Sequence, residues 1–260
     1  MRNSRQHACR LFTSVMMACA SATIGMPCTA AGLSTLMENL SGTAGKESVD
    51  IVLVDQSASI RADDYELYGK LFTRIVEDGG QCDRLKPGTR IVLAPIADRP
   101  VSQFRSVEHR VPKTGVTFDD QIALENMCPQ LKKDFSSLLK PARTVSQTYI
   151  LDSLFAVVQL VQGAKGGRVR IFIASDMLEE SKTANFAKQR VDAALASRII
   201  QKHKASGVLP NLTGAEVYVV GAGGKDAEDF VRIQNFWRAY LVAAGATLVE
   251  YGRLVPGNLK

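Results

Sequence analysis

The chain has 260 residues, 46% of them hydrophobic and 22% charged, with a formal net charge of +6. This composition excludes a disordered or collagen-like chain and fits one large α/β domain with an extension, long enough to bury a core without staples. No block of basic residues is interleaved with aromatics, so the positive charge does not call for nucleic acid.

Residues 1–30 read as a secretory signal peptide. Arg2, Arg5 and Arg10 lead into small and apolar residues from position 11 to 26, no acidic residue precedes Glu38, and Cys28-Thr29-Ala30-Ala31 forms a small-residue exit. The apolar centre is too short and too rich in Ser, Thr and Ala for a membrane span. The residues before Cys19 and Cys28 match a lipoprotein box poorly. The expected location is therefore periplasmic or secreted, with no stable membrane span once the leader is gone. Loss of the three arginines would lower the formal charge from +6 to +3. Cys9, Cys19 and Cys28 would leave as well. Cys82 and Cys128 would then remain in an oxidising compartment, where they are expected to form a disulfide; two buried free thiols are the alternative.

Residues 31–48 are small and polar and read as a linker, followed by a domain over 49–255. The run Val49-Asp50-Ile51-Val52-Leu53-Val54 predicts a buried strand, and Asp55-Gln56-Ser57-Ala58-Ser59 follows on its C-terminal loop. Open α/β sheets bind ligands at that end. Tyr65, Tyr68, Leu71, Phe72, Ile75 and Val76 recur at helical spacing and predict a helix over 62–78, closed by Gly79-Gly80. A strand over 90–96 follows the turn signal Lys86-Pro87-Gly88, and 102–111 reads as an edge strand.

Residues 117–140 predict a helix interrupted near Cys128-Pro129. Residues 148–162 predict another, apolar nearly all round and hence buried. The strand over 169–174 lacks alternation, as in a sheet covered on both faces, and ends at Ser175-Asp176. A helix over 186–204 places His203, between Lys202 and Lys204, at a solvated end. A strand over 216–220 leads into Gly221-Ala222-Gly223-Gly224-Lys225-Asp226, read as a turn with Asp226 capping a helix over 227–244. That turn lacks the spacing of a phosphate-binding loop. Phe230, Ile233, Phe236, Trp237 and Tyr240 read as core, and a last strand covers 247–251. Strands alternating with helices predict a doubly wound, mostly parallel sheet flanked by helices, with one antiparallel edge strand.

The loops after parallel strands gather at one sheet edge, so Asp55, Ser57, Ser59, Thr148 and Asp176 can meet around one cation. Small oxygen donors of this kind suit Mg²⁺ or Ca²⁺ and suit Zn²⁺ or copper poorly. Helix capping and local loop bonding are the competing roles for the same side chains.

The Asp-x-Ser-x-Ser of 55–59, the separate Thr148 and the strand-ending Ser175-Asp176 stand in the order found in the von Willebrand factor A family. The chain resembles that family over roughly residues 49–251. The resemblance implies a metal-ion-dependent adhesion site in which Ser57, Ser59 and Thr148 ligate through hydroxyls. Asp55 and Asp176 would bind directly or through water. It further implies Mg²⁺ (or Mn²⁺ or Ca²⁺) as the ion and a protein partner whose Asp or Glu carboxylate completes the coordination. Two carboxylates just neutralise a divalent ion and hydroxyls add no charge, so one more anionic oxygen is welcome. The chain departs from the family where Met177-Leu178-Glu179-Glu180-Ser181 replaces the usual glycine. Glu179 and Glu180 read there as a solvated helix start. The expected class is an exported binding module and not an enzyme. A metal-assisted hydrolase or phosphoesterase and a metal-free envelope scaffold are the alternatives. No Gly-x-Ser-x-Gly elbow occurs, and nothing in the sequence pairs His7, His109 or His203 with a nucleophile.

Overall fold

The computed structural model describes residues 47–77, 82–96, 104–113, 117–140, 147–164, 167–257 and 259. The leader at 1–30, the linker up to residue 46 and the Gly79-Gly80 stop lie outside them. Among the described residues, six strands form one sheet in the order β3-β2-β1-β4-β5-β6. These are β1 (Val49–Asp55), β2 (Arg90–Ile96), β3 (Val107–Arg110), β4 (Val169–Ala174), β5 (Ala215–Val220) and β6 (Thr247–Gly252). All neighbours are parallel except β2 and β3, which pair antiparallel. The helices are α1 (Ala62–Val76), α2 (Phe118–Leu138), α3 (Ile150–Ala156), α4 (Val158–Gln162), α5 (Ala193–Ala205) and α6 (Ala227–Ala243). This is the fold class that the alternation of strand and helix patterns predicts.

Every residue of β1 is buried. Successive side chains of a strand point to opposite faces, so Ile51 and Leu53 join one core while Val52 and Val54 join the other. Helices α3 to α6 cover the first face, and α1 and α2 cover the second. With both faces buried, alternation disappears and the strands read as unbroken apolar runs. Each fully buried aliphatic side chain contributes roughly 1.5–3 kcal/mol. Charged residues also occur at the strand starts, where Arg170 donates to both oxygens of Asp50 at 2.7 and 2.6 Å.

The topology places the functional edge. From β1 the sheet grows one way through β2 and the other way through β4. The loops after β1 and β4 therefore leave in opposite directions and open a crevice between them, the usual ligand position in such sheets. Asp55 is the last residue of β1, and Ser175-Asp176 directly follows β4.

Three helices differ from their predicted form. Helix α2 continues through Pro129 instead of breaking there. Pro costs one backbone hydrogen bond, but Leu131 and Phe135 beyond it are buried, Phe135 stacks on Phe72 at 4.0 Å, and Cys128 is tied to Cys82. The single helix expected over 148–162 is two, α3 and α4, separated at Val157, where the Leu160 amide donates to the Val157 carbonyl in a tight turn. Helix α5 starts at Ala193, not at 186, because Asp192 accepts from the Leu195 amide at 2.8 Å and caps it.

Candidate metal centre

Asp55 is fully buried and both its oxygens are engaged. Oδ1 accepts from the Ser57 amide at 2.8 Å, and Oδ2 accepts from the Ser175 hydroxyl at 2.6 Å. The first bond turns the chain back on itself, which brings the alternate residues Ser57 and Ser59 together with their Oγ atoms 3.0 Å apart. Ser59 then donates to Asp176 Oδ2 at 2.8 Å, while Asp176 Oδ1 accepts from the Leu178 amide at 2.9 Å. One chain of oxygens thus runs from Asp55 through Ser57 and Ser59 to Asp176 and spans the crevice between β1 and β4. Ser57 is buried and Ser59 is exposed, so the chain opens to solvent at Ser59.

Thr148, the fifth predicted residue, is buried and belongs to the turn before α3. Its carbonyl accepts from the Glu180 amide at 2.8 Å, which fastens this turn to the loop that carries Asp176. The structure therefore brings Asp55, Ser57, Ser59 and Asp176 into one network and anchors Thr148 to the same loop through its backbone.

The electrostatics are one-sided. Burial, then the charge of Asp55 and Glu180, pushes the Asp176 carboxyl up to about 6. Burial, helped by the charge of Glu180, also raises Asp55 above the usual carboxylate range against the bonds from Ser175 and Ser57. Below them, the Tyr68 phenol is driven far up by burial and by the charges of Asp55 and Asp176. The hydroxyls of Tyr65, Tyr68 and Tyr251 are buried with no hydrogen-bond partner among the described residues. Nearby negative charge and loss of water both disfavour ionised carboxylates, and a cation reverses both effects. Each carboxylate oxygen retains a second acceptor site beyond its present bond. No group of three or more His, Cys, Asp and Glu side chains that could by itself hold a metal ion occurs among the described residues. An ion at this edge would therefore be held by hydroxyls beside two carboxylates, a donor set that fits Mg²⁺, Mn²⁺ or Ca²⁺.

Several residues to which the sequence pattern gave no supporting role, or a different one, hold the site together. Ser175 bridges Asp55 and the Met177 amide, which donates to its Oγ at 3.0 Å. Gln56 reaches the end of α2 and donates to the Leu138 carbonyl at 2.8 Å. Glu179 is not solvated. It is fully buried, its Oε2 accepts from the Ile150 and Leu151 amides at 2.8 and 3.1 Å, and burial pushes its carboxyl up to about 8. A carboxylate's destination is set by donors distant in sequence, so the local pattern held no signal for it. Gly221, directly after β5, adopts φ +91, and a Cβ there would lie 2.8 Å from the Tyr68 ring. The turn it opens ends as expected, with Asp226 accepting from the Asp229 amide at 2.8 Å.

Of the other candidates, His109 on β3 lies 3.0 Å from Asp134 Oδ2 on α2 and so ties the edge strand to a helix. His203 is buried, not solvated, and its Nδ1 is 2.8 Å from the Tyr240 hydroxyl. Phe236, Trp237 and Tyr240 are core residues as expected. Cys82 and Cys128 form a disulfide with their Cα atoms 5.9 Å apart. No described helix is long and apolar enough to cross a membrane.

No protein-family model matches this sequence, and no curated protein matches it. Solved structures do. Proximal thread matrix protein 1 from the mussel byssus is 16% identical with a TM-score of 0.38, over 76% of this chain and 46% of that one. An aerotolerance-related membrane protein from Bacteroides fragilis is 14% identical with a TM-score of 0.41, over 80% and 91%. A von Willebrand factor type A protein from Catenulispora acidiphila is 13% identical with a TM-score of 0.40, over 80% and 39%. The chain spans less than half the length of the first and the third of these. Likeness this distant carries no argument about function, which is read from the geometry of this chain.

Proposed function

We propose that this chain is an exported binding module that captures a protein partner through a divalent cation held by Asp55, Ser57, Ser59, Thr148 and Asp176. The observation that carries the reading is the Ser59–Asp176 bond of 2.8 Å. It joins the two strand-end loops at the point where the sheet order reverses and completes a line of oxygen donors open to solvent. The cation, when bound, supplies a positive point that prefers one more anionic oxygen, as from an Asp or Glu of the partner. The protein's own residues do the rest. Asp55 and Asp176 provide the negative charge, and Asp55, with both oxygens already engaged, is suited to act through water. Ser57 and Ser59 provide neutral donors from one turn, and Thr148 does so from the turn before α3. The disulfide fits an oxidising compartment, where the leader read at residues 1–30 would send the chain.

A calorimetric titration with Mg²⁺ and Mn²⁺ tests this. Binding should be present in the wild type and lost in Asp55→Ala; unchanged binding in the variant sinks the proposal. A pull-down from envelope extract with and without chelator then asks for the partner. The reading is non-enzymatic, and turnover of phosphoesters that disappears in Asp55→Ala would replace it with a hydrolase.

A further inference from the structure

We propose that Glu179 is a positioning residue that sets the Thr148 turn for cation binding by taking over the cap of α3; this rests on the cation reading above. A threonine just ahead of a helix can turn its hydroxyl onto the amides two and three residues on. For Thr148 those are the amides of Ile150 and Leu151. Both are instead held by Glu179 Oε2, at 2.8 and 3.1 Å, from a segment 29 and 28 residues away. The residue at the helix start, Tyr149, makes no side-chain cap bond. The cap therefore comes from outside the segment, and the Thr148 hydroxyl is released from that duty.

The same loop fixes the turn a second time. Next to Glu179, the Glu180 amide donates to the Thr148 carbonyl at 2.8 Å. Two adjacent residues thus hold positions 148, 150 and 151. They lie three and four residues after Asp176, so they tie the Thr148 turn to the Asp176 loop as one unit. The clamp is itself braced. Glu180 and Asn185 form an antiparallel bridge, the Phe186 amide donates to the Glu179 carbonyl at 2.9 Å, and the Trp237 indole donates to the Met177 carbonyl at 3.0 Å. A helix of seven residues is too short to hold its own first turn in place, so an outside grip matters more here than on a long helix. The neutral carboxyl retains Oε2 as an acceptor, so the grip does not depend on the charge state of Glu179.

Two variants of the full chain, disulfide intact, test the proposal. Glu179→Gln keeps an acceptor carbonyl. Glu179→Met fills the volume without one and leaves the Ile150 and Leu151 amides without that acceptor, at a cost in stability. The measurements are Mg²⁺ affinity by calorimetry and amide exchange, with retained protection of β1 and β4 certifying the fold. In Glu179→Met, Mg²⁺ affinity should fall about 10-fold or more, the range for partners that orient metal ligands, and amides at 147–151 should exchange faster. In Glu179→Gln the affinity should stay close to that of the wild type. A purely structural role would lower stability and leave the metal affinity of the folded protein unmoved, so wild-type affinity in Glu179→Met overturns the proposal. Equal damage in both variants overturns it too, because the acceptor would then be irrelevant. If the wild type binds neither Mg²⁺ nor Mn²⁺, the cation reading fails; exchange then decides the grip alone, and unchanged rates at 147–151 in Glu179→Met sink it.

Discussion

Met177 shows how a departure in sequence can leave a backbone unchanged. It follows Asp176 and holds φ +63, the left-handed region that a glycine enters freely and that other residues enter at a cost of about 1–2 kcal/mol. The loop therefore has the conformation that a glycine would allow, with a fully buried side chain added. Burying a methionine contributes roughly 1.5–3 kcal/mol, enough to offset the strain. Truncation separates the two effects. Met177→Ala should cost about 2–5 kcal/mol in urea denaturation, and Met177→Gly should come out about 1 kcal/mol more stable than the alanine variant, the reverse of the order in a helix. An alanine variant more stable than the glycine one would show that the left-handed backbone carries no strain. Buried His203 makes a related point. Its lysine neighbours suggest solvent, but helical spacing sets it behind Leu195, Ala196 and Ile199 on the buried stripe of α5.

Among the elements, α2 is the least expected. It carries a proline in its interior, buries only Leu131 and Phe135, and leaves Phe118 and Ile122 exposed. Its position is set by three ties: the Cys82–Cys128 disulfide, the Phe72–Phe135 stack and Gln56, which caps its last turn. The disulfide closes a separation of 46 residues. In the chain-entropy model that is worth about 4 kcal/mol, so reduction, or Cys82→Ser with Cys128→Ser, should lower stability by up to about that amount. Denaturation with and without reductant measures it. Mg²⁺ affinity of the folded fraction should stay the same, because the proposed ligands lie on the loops after β1 and β4 and before α3. The edge strand β3 is short and alternates charge with His109, whose bond to Asp134 on α2 holds it to the helix layer. Short charged edges of this kind resist pairing with another chain.

For the whole molecule, the one-sided electrostatics of the site predict how stability responds to metal and pH. An ion that binds only the folded state, at 100 times its dissociation constant, adds about 2.7 kcal/mol. The melting temperature should therefore rise with Mg²⁺ and return with chelator. A thermal scan indifferent to both favours the metal-free scaffold. In chelator, pH has a definite sign. The Glu179 carboxyl moves from an ordinary 4.5 to about 8 through burial, with Asp152 on α3 and Tyr240 on α6 as titratable neighbours, Asp152 in turn facing His203 on α5. A raised carboxyl binds more protons in the folded state, so stability falls as pH rises from 4.5 towards 8 and then levels. His203, lowered from 6.5 by burial, acts with the opposite sign at and below that pH. Between 6.5 and 8 His203 no longer opposes the fall, which comes from Glu179 together with the likewise raised carboxyls of Asp55 and Asp176. Glu179→Gln should flatten the fall in melting temperature there, and an unaltered slope would mean that its carboxyl is not raised.

Much of this was legible in the residues themselves. Both central strands beside the crevice, β1 and β4, are unbroken apolar runs, because burial on both faces leaves no other pattern. The donors Asp55, Ser57, Ser59 and Asp176 sit at strand ends, and parallel topology forces such ends to one edge. The strand-helix alternation alone determined the fold class, and the Cys82–Cys128 disulfide was expected once the other three cysteines were assigned to a leader. Tertiary structure decided what depends on distant partners. It continued α2 past Pro129 through contacts that no local pattern contains. It buried His203 against Tyr240, and it gave Met177 a glycine's backbone because Ser175 and Trp237 hold both its ends. Above all it turned Glu179 from a surface acid into the cap of α3. Periodicity reports which face of an element is apolar, but the bonding of a buried polar group is a property of two segments at once and exists only after the chain has folded.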